Sequence, residues 1–185
     1  MRKTVYTIVA MLAVVSVAQA GLVVDAGNWN LLPNQAGQQI SVTISGSGNV
    51  TNATLVMEII GSSSKPIFTD GDIISGTIFA SNNTDAPVYD FIGSLAYLDI
   101  ATLTGTTSVN DNLLLANIIV STVGITSGTY ALKLTGTQWG DTLVGTDPVT
   151  SVSYLEGSIN VVPEPVSLVL LLIGGILARR QKVKI

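Results

Sequence analysis

The side chains in this sequence best equipped for chemistry are carboxylates. Asp70-Gly71-Asp72 is the densest pair. Two carboxylates one residue apart supply hard oxygen ligands, and Asn82, Asn83 and Asp85 in the next polar loop would supply more, a donor set suited to calcium. The same tripeptide also reads as a solvated turn with Gly71 at positive φ. It lacks the Asp-x-Asp-x-Asp-Gly spacing closed by a glutamate. Glu58 and Glu156 are the two glutamates between residues 21 and 162. A glycosidase needs two carboxylates facing across a cleft. Glu58, flanked by Met57 and Ile59, is expected on the outward side of a strand, and solvent-facing charge is the simpler account of it. Trp29 and Trp139 each offer a flat apolar face for a sugar ring, Trp139 from the loop Thr137-Gln138-Trp139-Gly140-Asp141. Core or edge positions account for both tryptophans more simply.

What the sequence lacks narrows the chemistry further. It has no His and no Cys. The commonest general base, the commonest zinc ligand and every Ser-His-Asp or Cys-His arrangement are therefore absent. Thiolate chemistry and disulfides are absent too, although an exported protein would meet conditions that allow them. No cofactor is indicated, and no catalytic residue is assigned.

The elements that would carry these residues are strands. Thr, Ser, Gly, Asn, Val and Ile dominate the central span, a composition of strands and turns. Gln39-Ile40-Ser41-Val42-Thr43-Ile44-Ser45 alternates strictly, which puts Ile40, Val42 and Ile44 on the core side. Ala53 to Ile60, Ser94 to Ile100 and Gly128 to Leu134 alternate as well. Leu22 to Asp25 reads as a first strand, Asn28 to Gly37 as a loop, and Ser151 to Val162 as the closing strand. Leu113 to Val120 is apolar around Asn117 and is expected to be a central strand buried on both faces. The pattern predicts a single all-β domain over 21–162, an antiparallel sandwich or jelly roll of about eight or nine strands.

The two ends differ from this body. Arg2-Lys3, the apolar run Thr4 to Val17 and the small-x-small triplet Ala18-Gln19-Ala20 form a signal peptide over 1–20, with the mature chain beginning at Gly21. At the other end, Pro163-Glu164-Pro165 is an extended hinge. An uncharged run, Val166 to Ala178, follows it, and then a tail with four basic residues, Arg179, Arg180, Lys182 and Lys184. A helix over 166–178 would be roughly 20 Å long, short of a roughly 30 Å hydrocarbon core, so crossing would rely on thinning or on snorkelling cations. The tail would stay on the cytoplasmic side.

These ends concentrate the positive charge. The span 21–162 keeps two cations, Lys65 and Lys133, against eleven carboxylates, a formal charge of −9 where the whole chain has −4. A body this acidic argues against nucleic acid as a partner.

Val-Pro-Glu-Pro, the short apolar segment and the terminal Arg-Arg cluster, in that order at the end of the chain, resemble the PEP-CTERM sorting signal of Gram-negative bacteria over 163–185. The resemblance implies recognition by an exosortase-type processing enzyme and transient anchoring in the inner membrane. Cleavage near Pro163-Glu164-Pro165 and delivery to the cell surface or beyond would follow. An ordinary C-terminal anchor with a proline-containing linker is the alternative. Val23-Val24-Asp25, Gly37 to Ile44, Leu114 to Val120 and Gly124 to Leu132 are similar to the strands of cohesin-like domains. That second resemblance implies a jelly-roll sandwich of the kind that docks dockerins or surface carbohydrate machinery, and it carries over no binding residue. Together they lead to the expectation of an exported, non-catalytic surface or matrix protein, structural or adhesive in exopolysaccharide or biofilm. Its partner would be exopolysaccharide or a surface protein. A carbohydrate-binding or protein-docking module is the alternative, and an Asp/Glu glycosidase is a more distant one.

Overall fold

The computed structural model describes residues 21–61 and 64–163. The segment read as a signal peptide, with Ala18 and Ala20, and the segment read as a sorting signal, from Glu164 onward with Pro165, Arg179 and Arg180, lie outside the described residues. Pro163 is described and exposed. Among the described residues every regular element is a strand, and no helix is long and apolar enough to cross a membrane.

Among the described residues thirteen strands form two sheets. The first sheet contains β1 (Leu22–Asp25), β3 (Gln38–Ser45), β5 (Ile67–Asp72), β9 (Leu113–Ser121) and β12 (Val152–Leu155), in the order β12-β1-β3-β9-β5. The second contains β2 (Asn28–Leu31), β4 (Gly48–Ile60), β6 (Val88–Ile92), β7 (Leu95–Ala101), β8 (Thr107–Val109), β10 (Gly128–Lys133), β11 (Leu143–Thr146) and β13 (Gly157–Val161). Its main path runs β2-β13-β10-β4-β7-β6, with β8 and β11 also paired to β4.

Period-two alternation produces the core between the sheets. Ile40, Val42 and Ile44 of β3 are fully buried, while Ser41, Thr43 and Ser45 stay partly exposed on the other side. Leu55, Met57 and Ile59 of β4 meet them from the second sheet, with Ala96, Leu98 and Ile100 of β7 beside them. Each such aliphatic side chain contributes about 2 kcal/mol by leaving water. Tyr130, Leu132 and Leu134 also face inward.

Four differences from the sequence-based expectation have physical causes. First, the strands number thirteen rather than eight or nine, because long extended segments break where they change sheets. The chain bends after β1, where the Gly27 amide donates to Asp25 Oδ1 at 2.8 Å, and continues as β2 in the opposite sheet. The segment over 152–161 does the same around Glu156, dividing into β12 and β13. Second, the segment expected as a loop over 28–37 begins with a strand, β2, whose polar Asn28 and Asn30 hid it.

Third, the sandwich is not wholly antiparallel. β1 runs parallel to β12 and β2 parallel to β13, so the first and last parts of the domain lie side by side in both sheets. Gly157 makes this crossing possible, since a Cβ there would collide with the Gly27 carbonyl oxygen, which accepts the Ser158 amide at 3.1 Å. Fourth, β9 is central but buried on one face only. Leu115, Ala116, Ile118 and Val120 are inside, whereas Asn117 and Ile119 lie on an open outer face, because two layers leave no third to cover it.

Candidate docking face

The outer face of β6, β7 and β4 is a regular grid. Register places Ile92, Leu95, Glu58 and Lys133 in one row. Asp90, Tyr97 and Val56 form the next, and Val88, Asp99, Thr54 and Leu143 the third. Val88, Ile92 and Leu143 are exposed, and Tyr97 is half-buried. The face thus presents apolar side chains interleaved with Asp90 and Asp99. The Thr54 hydroxyl donates to Asp99 Oδ1 at 2.6 Å and fixes that carboxylate. Burial first, and the Asp99 charge second, push the Tyr97 phenol above its ordinary value, so it remains a hydrogen-bond donor throughout the physiological range.

One side of this grid is shaped by the segment between β10 and β11. Neither strand pairs with β4 at Val56. Instead the buried Thr142 hydroxyl donates to the Val56 carbonyl at 2.8 Å and accepts its amide at 3.0 Å. Gln138 reaches the Glu58 carboxylate through its backbone amide at 3.3 Å and its side-chain amide at 3.4 Å, leaving Glu58 only 9% exposed. Trp139, next to Gln138, is half-buried, and its amide donates to Thr137 Oγ1 at 3.3 Å. Glu156 accepts the Thr135 hydroxyl at 3.1 Å. Both glutamates therefore brace the same segment, Glu58 from β4 and Glu156 from the junction between β12 and β13.

The other candidates lie elsewhere. Asp70 and Asp72 stand on the outer face of the first sheet, where they line a shallow cleft of about 220 Å³ with Gln39, Gly71, Asn117 and Ile119. Asp70 Oδ1 accepts the Gly71 amide at 2.8 Å. Asp72 Oδ1 accepts the Ile74 and Ser75 amides at 2.7 and 2.9 Å and so starts the turn after β5. Burial raises the Asp72 carboxyl, but its hydrogen bonds with the Ser75 hydroxyl and the Ser75 and Ile74 amides outweigh this and hold it below its ordinary value. Gly71 is needed for packing, since a Cβ there would press on the Phe91 ring at 2.9 Å.

Asn82, Asn83 and Asp85 serve their own loops. Asn82 donates to the Thr104 carbonyl at 2.8 Å and accepts the Leu103 amide at 3.1 Å, which pins the turn after β7. Asn83 donates to the Phe79 carbonyl at 2.9 Å and accepts the Asp85 amide at 2.8 Å. Among the described residues no three of His, Cys, Asp or Glu converge to hold a metal ion. Trp29 packs on the core and donates from its indole to the Ala26 carbonyl at 2.8 Å, so it covers the bend between β1 and β2.

Reading the sequence missed β6 and Leu143. Val88, Asp90 and Ile92 alternate with Tyr89 and Phe91, but the outward Val88 and Ile92 are themselves apolar, which erases the apolar–polar contrast on which period-two reading depends.

No protein-family model matches this chain, and no curated protein matches it. Solved structures do. The solution structure of CaCohA2 from Clostridium acetobutylicum superimposes with a TM-score of 0.59 at 16% identity, over 77% of this chain and 92% of that one. The third cohesin ScaC in complex with the ScaB dockerin, from Acetivibrio cellulolyticus, matches with a TM-score of 0.57 at 15% identity, over 76% and 99%. A non-cellulosomal cohesin from the archaeon Archaeoglobus fulgidus matches with a TM-score of 0.54 at 18% identity, over 77% and 92%. The described domain is a cohesin-like all-β sandwich. At these identities the likeness is one of fold.

Proposed function

We propose that this chain is an exported, non-catalytic surface or matrix protein whose sandwich serves as a docking module for a protein partner. The observation that carries this reading is the grid on β6, β7, β4 and β11. Exposed Val88 and Ile92 flank half-buried Tyr97 from β6, and exposed Leu143 lies beyond Thr54, with Asp90 and Asp99 among them. Apolar anchors with fixed polar groups between them are what a specific interface needs. The fold neighbours lend support, since several of them are cohesins in complex with dockerins. The acidic residues favour a partner with basic groups around an apolar centre. Export rests on the signal-peptide pattern over 1–20 and the PEP-CTERM resemblance over 163–185. The exosortase-type enzyme and the inner membrane would be transient partners on that route. A non-catalytic role agrees with a sequence that lacks His and Cys, and with glutamates engaged in bracing one segment.

The test uses the secreted protein of the native host as bait against that host's extracellular fraction. A protein captured by the wild type should be lost from a Val88→Arg/Leu143→Arg variant by at least about tenfold, the scale of removing one or two interface anchors. The variant's melting temperature should stay unchanged. Equal capture by both forms, or retention of exopolysaccharide alone, would sink the docking reading.

A further inference from the structure

The docking grid lies on the outer face of the second sheet, and the cleft of Asp70 and Asp72 lies on the outer face of the first. This cleft crosses β3, β9 and β5, and a bulge in β5 shapes it. Phe68 pairs with Val120, but Asp70 pairs with Ile119, so Thr69 is an extra residue, and its hydroxyl donates to the Ile119 carbonyl at 3.3 Å. Without the extra residue, strict alternation would send Asp70 inward on the side of buried Phe68. With it, both carboxylates face outward. Register then builds two rows over three strands: Gln39, Ile119 and Asp70 in one, and Ser41, Asn117 and Asp72 in the next.

Asn117 is held in one orientation. Its Oδ1 accepts the Gln39 side-chain amide at 2.9 Å and the Ser41 hydroxyl at 2.8 Å. Both bonds come from β3, so Nδ2, on the other branch of the amide, faces the β5 side. Among the described residues its two N–H groups meet no acceptor. Asp70 engages the Gly71 amide through Oδ1 and keeps Oδ2 open, and Gln39 keeps Oε1 open. The cleft therefore sets two donors beside two acceptors, with apolar Ile119 between Gln39 and Asp70. An anion would be repelled by Asp70 and Asp72, and a metal cation would meet the N–H side of Asn117. A vicinal diol fits, because each hydroxyl both donates and accepts. The volume of about 220 Å³ is less than the roughly 300 Å³ at which drug-sized sites begin, and it suits one sugar ring. Thr43 and Ser45 continue the polar strip along the outer side of β3.

We propose that the outer face of the first sheet binds a neutral polysaccharide, one sugar ring of which sits in this cleft. Asn117 Nδ2 donates to one hydroxyl of a vicinal diol. Asp70 Oδ2 and Gln39 Oε1 accept from its hydroxyls, and the C–H groups of the ring lie on Ile119. The domain then holds a glycan on one side while the grid on β6, β7 and β4 holds a protein on the other. Neither reading depends on the other, since the two faces share no residue.

The test is a nuclear magnetic resonance titration of the isotope-labelled full chain. The probes are the methyl glycosides of glucose, galactose and mannose, with glucuronate and calcium chloride as counter-probes, each taken to about 50 mM because a single open site for one ring binds in the millimolar range. At least one neutral glycoside should move the Asn117 side-chain amide and the Gly71 and Ile119 backbone amides along one saturable curve. Glucuronate should bind at least about tenfold more weakly than that glycoside. Asn117→Asp turns the donors into acceptors, and Asp70→Asn removes one charged acceptor. Each should weaken glycoside binding about tenfold or more, the scale of losing a hydrogen bond to a buried or charged partner. If Asn117→Asp lowers the melting temperature, Asp70→Asn carries the comparison. No saturable shift with any of the three glycosides would overturn the proposal. Shifts centred on Trp139 in place of Asn117 would overturn the placement, and a response of Asn117 to calcium alone would make the cleft a metal site instead.

Discussion

At Thr142 one hydroxyl fills a gap in the second sheet. It satisfies both the amide and the carbonyl of Val56, where β10 has ended and β11 has not begun. Thr142→Val keeps the shape and strands two buried backbone groups. Unfolding in urea should show a loss of about 3 kcal/mol, since each unsatisfied buried group costs about 1–3 kcal/mol. Thr142→Ser should recover most of it. Asp72 makes a prediction in pH. Its folded carboxyl lies below the ordinary value, so its contribution is present above the unfolded pKa of about 3.9 and disappears as pH falls through the lower folded value. Asp72→Asn should therefore flatten the decline in thermal stability on acidification below about pH 4. An unchanged acid profile would mean that the turn over 73–75 does not depend on the charge.

Among the elements, those with clean alternation were readable in advance: β3, β7 and β10 have the inward residues that their sequences imply. The elements that escaped did so for local reasons. β2 carries asparagines on its outward side, β8 has three residues, and β11 contains Gly145 where its register against β4 shifts. The candidate face suffered most, because it lies partly on strands that sequence reading did not find. Nor could spacing reveal that Gln138 would cover Glu58, a contact between residues eighty positions apart. The crossing of β12 into β13 gives the sharpest test at this scale. Gly157→Ala sets a Cβ against the Gly27 carbonyl and should cost about 3 kcal/mol, the upper range for overpacking. Gly76→Ala has open space but a φ of +71°, and should cost only about 1 kcal/mol. Equal melting temperatures for the two variants would refute this account of the crossing.

For the whole domain, a formal charge of −9 on residues 21–162 implies self-repulsion in the folded state. Its melting temperature should rise between about 10 mM and 150 mM sodium chloride as the Debye length falls from roughly 30 Å to 8 Å. The gain should come without divalent ions, and a gain specific to calcium would revive Asp70 and Asp72 as ligands.

The parallel pairing of the first and last segments also sets how the domain bears load. A pull through Pro163 enters along the axis of β13, which is hydrogen-bonded to β10 on one side and to β2 on the other. Force in that direction slides the ladders lengthwise, so their bonds share the tension instead of parting one by one as a zipper does. Were the domain held at its C-terminus and gripped on its side by another molecule, this arrangement would resist its being drawn apart.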